Sequence, residues 1–170
     1  MSTPRKRSKK GVNMPDTLSQ KLLQSGLSGV AGEYFVAAEL SRRGFIASVT
    51  LRNAQGIDIL ATKPTSTSII GIQVKTNQHS QRKWPVSYKV EDLDRPDLYF
   101  VFVNLNGINQ PSYHIVPSAV ILEYCRTNHA AWLATPGKGG RPHKDNAIRT
   151  FTDPDGMYLS KWEILDKPGA

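Results

Sequence analysis

The 170-residue chain contains one cysteine, so it cannot form an internal disulfide. That residue, Cys125, ends the apolar run Val120-Ile121-Leu122-Glu123-Tyr124-Cys125, where a buried, structural thiol is expected. Doing without disulfides fits a reducing, cytoplasmic setting. No apolar run is long enough to span a bilayer, which argues against a helical membrane protein. Residues 1–10 are basic with no apolar segment behind them, so they are not read as a secretory signal. The four histidines, His79, His114, His129 and His143, show no metal-ligand spacing with the cysteine or with one another, so no zinc site is expected. There is no internal repeat. Gly137-Lys138-Gly139-Gly140 is not a phosphate loop, because no Ser or Thr follows the lysine and no strand precedes it.

What is present suits one globular domain: 39% apolar and 21% charged residues in a chain long enough for a real core. The net charge of +8 is unevenly spread. Arg5, Lys6, Arg7, Lys9 and Lys10 carry five of those charges, leaving +3 for the remainder. Residues 1–18 read as a basic, disordered tail and 19–170 as the folded domain. Such an arm can neutralise phosphates without reading base sequence. The bland alternative is a solvated terminus without a partner.

Helical spacing predicts a helix over 25–43, stopped by Gly44, with Gly29 and Gly32 weakening its start. Strands are expected at 45–51, 57–62 and 69–75. Residues 76–96 read as polar and irregular, and Trp84 as a packing residue that could otherwise stack on a base. Asp92, Asp94 and Asp97 read as turn residues. The continuous apolar run 98–103 predicts a strand covered on both faces. A strand at 113–116 follows, then a helix opened by Pro117-Ser118 and reaching about Cys125. Residues 134–146 read as a loop, 152–156 as a turn, and 160–165 as a short helix capped by Ser160, with Trp162 and Leu165 facing the core. The order predicts an α/β or α+β sandwich around one central sheet.

The chemistry lies between residues 32 and 75. In the third strand Ile70, Ile72 and Val74 share one face, and Gly71, Gln73 and Lys75 the other. An amide and an ammonium then stand about 6–7 Å apart along one strand, with Gly71 leaving space beside them. A lysine with no task is unexpected there, since buried lysines are uncommon unless paired. In the second strand Asp58 has isoleucine on both sides, although aspartate is disfavoured in strands. Paired strands lie about 4.8 Å apart, so Asp58 can approach Gln73 and Lys75. On the helix, Glu33 falls among Val30, Ala37 and Leu40, which would direct a carboxylate toward the sheet. The bland reading of the same residues has Asp58 capping a turn, Gln73 facing solvent and Lys75 pairing with Glu33.

Taken in order, Gly32-Glu33, Gly56-Ile57-Asp58-Ile59-Leu60 and Ile72-Gln73-Val74-Lys75 resemble the PD-(D/E)XK nuclease superfamily, over roughly 26–77 and more loosely to 115. That pattern has an acidic residue on the first core helix, an aspartate at the head of a strand and Glu-x-Lys on the next. The resemblance implies a restriction-endonuclease-like α/β (α+β) core, a central mixed sheet flanked by helices, and a metal-dependent DNA endonuclease. It implies Glu33, Asp58, Gln73 and Lys75 as the catalytic set. Asp58, Gln73 and Glu33 would hold Mg²⁺ or Mn²⁺, with the Val74 carbonyl as a further donor. Two departures stand out: Ile57 replaces the proline before the aspartate, and Gln73 replaces the glutamate. An amide oxygen still ligates a hard cation but without negative charge, so metal affinity should fall. DNA is the implied partner, with a homodimer or larger assembly for cutting two strands. Lys138, Arg141 and Lys144 could touch the nucleic-acid backbone. The alternatives are a non-catalytic nucleic-acid-binding protein that keeps the nuclease fold, and an interaction domain whose basic tail binds RNA or an acidic partner.

Overall fold

The computed structural model describes residues 23–51 and 56–166. The tail residues Arg5, Lys6, Arg7, Lys9 and Lys10 lie outside them. Helix α1, Ser25–Arg42, ends where the sequence predicts. Gly44 takes φ +83°, its N–H donates to the Ser41 carbonyl, and that of Phe45 donates to the Leu40 carbonyl. This left-handed exit is the one glycine adopts at least cost.

Strands β1 (Ile46–Val49), β2 (Ile59–Thr62), β3 (Ile70–Asn77), β5 (Leu98–Asn104) and β6 (Ser112–Pro117) form one sheet in the order β1-β2-β3-β5-β6. Only β3 and β5 run parallel. The sheet is therefore mixed, with a crossover between its two central strands. That crossover holds a strand which the sequence reading left irregular: β4, Lys83–Ser87, pairs antiparallel with β7, Ile148–Thr152, in a second, two-stranded sheet. Trp84 and Val86 alternate inward while Pro85 faces out. Proline inside so short an alternation reads as a breaker, yet it is tolerated where its missing N–H does not interrupt a ladder. A 3-10 turn, Tyr88–Asp92, follows β4.

The central sheet is buried on both faces, and β5 shows why. Tyr99, Val101 and Val103 enter a core built with Val36 and Leu40 of α1, Ile59, Ile72 and Trp162. Leu98, Phe100 and Phe102 enter the opposite core with Trp84, Phe151 and Cys125. Each such large apolar side chain contributes about 1.5–3 kcal/mol when fully buried. Trp84 is a packing residue: it is fully buried, its ring lies 5.1 Å from that of Phe102, and its Nε1 donates to the Val103 carbonyl. Burial pushes the Cys125 thiol up to about 11, an inert, protonated group.

Helix α2, Ser118–Ala134, runs well past Cys125. Its buried residues stop at Cys125, so the apolar stripe marks only the packed half. Ala130, Ala131, Leu133 and Ala134 continue the helix by propensity. At the C-terminal end, Trp162 and Leu165 reach the core from a 3-10 turn, Trp162–Asp166. Ser160 is not its cap; it takes φ +56° and its N–H donates to the Tyr113 carbonyl.

The buried row of α1 also differs from expectation. Ser28, Gly32, Val36 and Leu40 are the buried row toward the sheet; Ala37 packs against the same core from its flank, and Val30 and Glu33 are only half-buried. Gly32 sets this orientation, because a methyl group built there would sit 1.9 Å from Thr76 Oγ1. Close helix–sheet approach thus places Gly32 at the contact and Glu33 beside it. Glu39 is buried too. Burial raises its pKa, but Arg43 and Arg42 outweigh that and hold it below the ordinary range. Among the described residues, no helix is long and apolar enough to cross a membrane.

Candidate active site

Asp58 stands one residue before β2. Ile59 pairs with Ile72, and the Asp58 N–H donates to the carbonyl of that same Ile72 at 2.9 Å, so Asp58 stands beside the pair at the head of the ladder. Ile59 and Ile72 point into the core under α1, whereas Ile57 packs against the opposite core, so the strand alternation is broken at Asp58. Gln73 lies on the face away from α1, and the Asp58 carboxylate turns to the backbone of β3. Asp58 Oδ2 accepts the Val74 N–H at 2.7 Å. Alternate residues of a strand turn both backbone groups to the same neighbour. Val74, two beyond Ile72, therefore offers its N–H and its carbonyl on the side of Asp58. An aspartate at the strand head satisfies an N–H that no β2 residue pairs with in the register, which accounts for its place among isoleucines. Oδ1 accepts no hydrogen bond from a described residue.

Gln73 and Lys75 line one cavity of about 350 Å³. Ser87 and Lys89, from the end of β4 and the turn after it, form its other wall. Val90, Leu93 and Phe100 make an apolar floor. Gly56, at φ +76°, closes one end, with room for a Cβ only 3.5 Å from Gln73 Nε2. Lys75 is half-buried and forms no ion pair among the described residues. The space expected beside Gly71 is filled: Ile57 Cδ1 and Leu98 Cδ1 would lie 3.3 and 3.4 Å from a Cβ there.

Of the four predicted site residues, Gln73 and Lys75 line this cavity, and Asp58 and Glu33 do not. Asp58 is tied to it through Val74, between those two residues. Glu33 is half-buried on α1, beside Gly32, which packs on Thr76 of β3.

The donors suit a hard divalent cation in kind but are poor in charge. Asp58 offers a carboxylate, Gln73 an amide and Val74 a carbonyl, all oxygen. Among the described residues, no three His, Cys, Asp or Glu side chains gather to hold a metal ion. The set therefore fits a weakly held, oxygen-ligated ion that a phosphate would help to complete.

Lys138, Arg141 and Lys144 are exposed and do not line this cavity. Their loop is packed onto α2: the His143 ring stacks on Trp132 at 4.0 Å, and His129 Nε2 lies 2.7 Å from Asp145 Oδ1. Sequence reasoning missed Ser87 and Lys89. The one available signal was the Trp84–Val86 alternation, which Pro85 obscured.

A mixed five-stranded sheet whose β3 and β5 run parallel, flanked by helices, is the restriction-endonuclease-like α/β architecture expected from the sequence. Comparison with solved structures shows the same architecture. The chain is similar to a bacterial homing endonuclease, I-Ssp6803I, at a TM-score of 0.51 and 12% identity, over 86% of this chain and 95% of that one. It also aligns with Hjc, a Holliday junction resolvase from the archaeal hyperthermophile Archaeoglobus fulgidus, at a TM-score of 0.48 and 15% identity, over 82% and 96% of the two chains. At these identities the likeness establishes the fold. No protein-family profile matches the sequence, and no curated protein sequence does.

Proposed function

We propose that the chain is a metal-dependent endonuclease that hydrolyses phosphodiester bonds in DNA. One observation carries the reading: a half-buried lysine without an ion pair among the described residues shares a cleft with Gln73, and the Asp58 carboxylate is bonded to the N–H of Val74, the residue between them. A buried cation left unneutralised is costly unless an anion completes its surroundings. A phosphate does so. The similarity to a homing endonuclease supports the same reading at the level of fold.

Asp58, Gln73 and the Val74 carbonyl would hold Mg²⁺ or Mn²⁺, with Glu33 contributing from the middle of α1. When bound, such an ion neutralises phosphate charge and makes hydroxide accessible near neutral pH. Lys75 donates to a non-bridging phosphate oxygen or holds the attacking water in line, stabilising the charge that develops on the phosphorus oxygens. The Val74 N–H fixes the rotamer of Asp58, so the carboxylate is oriented before substrate arrives. Arg5, Lys6, Arg7, Lys9, Lys10, Lys138, Arg141 and Lys144 add backbone contacts that do not read sequence. Cutting both strands of a duplex calls for two such sites, hence a pair of chains.

A second reading, a nucleic-acid-binding protein that keeps the fold without catalysis, is favoured by one feature: Gln73 removes a carboxylate and no acidic triplet replaces it among the described residues. Incubation of plasmid and four-way-branched DNA with Mg²⁺ or Mn²⁺ separates the two. The endonuclease reading expects metal-dependent cleavage that Lys75→Ala lowers by about 10²–10³-fold while DNA binding persists. Binding without cleavage of either substrate in either metal leaves the second reading standing.

A further inference from the structure

We propose that Lys89, on the 3-10 turn after β4, is a second phosphate-binding residue of this cleft, holding the DNA strand that is cut while Lys75 faces the phosphate undergoing reaction. The inference rests on the endonuclease reading for its substrate. Its observations are separate. Lys89 comes from the crossover, not from the motif strands, yet it lines the same cavity as Gln73 and Lys75. No aspartate or glutamate lines that cavity. The nearest acidic residue in sequence, Glu91, is engaged by Arg149, and Asp58 already accepts the Val74 N–H. Like Lys75, Lys89 makes no ion pair among the described residues.

Two ammonium groups around one space of about 350 Å³ repel each other. Lys89 is exposed, so its side chain can turn to solvent until an anion arrives, but the turn that carries it is held from below: Val90 is buried against Phe100 and Leu98, and Ser87 Oγ accepts the Lys89 N–H at 3.3 Å. The base of the side chain is thus fixed at the rim. A phosphodiester strand satisfies both cations at once, since its phosphates recur along the chain while its sugars are apolar enough to lie over Val90, Leu93 and Phe100. The cavity is at the small end of the roughly 300–1,000 Å³ found for ligand sites, a size for one nucleotide of a strand passing through and not for a duplex.

The test uses the full chain with Lys89→Ala, Lys89→Arg and Lys89→Glu, titrating fluorescently labelled DNA at several salt concentrations and following single-turnover cleavage. Lys89→Ala should raise the DNA concentration giving half-maximal rate about tenfold and lower the salt slope of binding by about one counterion. The saturated rate should fall much less. Arginine should restore affinity, and glutamate should weaken it beyond alanine. An unchanged half-saturation point and salt slope in Lys89→Ala would overturn the proposal, as would a collapse of the saturated rate with binding intact, which would make Lys89 part of the chemistry. If the unmutated protein cleaves nothing, the endonuclease reading fails, but the salt slope still decides Lys89: loss of one counterion upholds the contact and no loss removes it.

Discussion

Two cavities share strand β4, and they differ in what their cations are doing. The larger, about 610 Å³, lies between α2 and β7. Its buried cation, Arg149, is bonded to Glu91 and to the Asn146 carbonyl and has Asp145 at 3.6 Å. Its His129 pairs with the same Asp145. Among its described cations only the exposed Lys83 has no ion pair. The smaller cavity holds Lys75 and Lys89, both without a carboxylate partner among the described residues. On the proposed function, volume alone would choose the wrong one. The larger cavity's buried cation is neutralised by neighbouring carboxylates, and the smaller cavity has no carboxylate in its lining.

The comparison breaks most readily at its two buried cations. Arg149→Ala leaves Glu91 facing a largely buried gap and should cost about 3 kcal/mol of stability, read as a lower urea midpoint. At a temperature where the variant is folded, its DNA cleavage should fall far less than that of Lys75→Ala, because Arg149 reaches the smaller cavity only through Val86 and through Glu91 on the Lys89 turn. Lys75→Ala should show the opposite pattern, near-normal stability and lost cleavage. If Arg149→Ala abolished cleavage in a folded protein, the larger cavity would be functional and the contrast would fail.

Gly32→Ala tests the end of β3 where α1 comes closest. The new methyl must displace Thr76 or lift the helix, at about 1–3 kcal/mol. Because Glu33 is the next residue, cleavage should drop by more than the loss of folded protein explains. A fall in stability with specific activity unchanged would remove Glu33 from the site.

The metal ligands offer a gain-of-function probe. Gln73→Glu adds a carboxylate next to Val74, whose N–H Asp58 accepts, so Mg²⁺ should bind more tightly, by about tenfold. Isothermal titration showing equal or weaker binding would exclude Gln73 as a ligand.

The smallest effect concerns acid. His114 is fully buried, with Nδ1 2.6 Å from Asp153 Oδ2 and no partner for Nε2. Asp153 also accepts the N–H groups of Met157 and Tyr158. Burial lowers the pKa of His114, and its bond to Asp153 only partly restores it. The folded protein therefore keeps this ring neutral where the unfolded chain, with an ordinary value near 6.5, takes up a proton. The resulting stability is full above that value and is lost as pH falls from about 6.5 toward the depressed folded pKa. Thermal melts should show a midpoint declining over that range, and His114→Phe should flatten the decline even if it lowers the midpoint overall. A midpoint insensitive to pH between 7 and 5 would show that burial does not shift the ring's titration, and a midpoint rising as pH falls would show that the ring is charged when folded.

How far each feature was legible depends on the range of the interaction behind it. The end of α1 at Gly44, the Gln73–Lys75 face and the doubly buried β5 follow from periods of 3.6 and 2 and from one residue's conformational freedom, all local properties. They were readable, and with them the order of motifs that indicated the fold. The rotation of α1 was not, because Gly32 is chosen for contact by Thr76, a residue 44 positions away. Strand β4 was not, because its ladder partner, β7, lies more than sixty residues on, and its proline reads as a breaker until that partner is placed. The same pairing brings Lys89 beside Lys75. The amino-acid sequence by itself determined which residues have the chemistry for phosphate, since residue type and alternation require no neighbour. Which cations stay unpaired, and so which cleft remains charged, was decided only by the tertiary structure, because neutralising a charge takes a second residue and the fold alone determines where that residue lies.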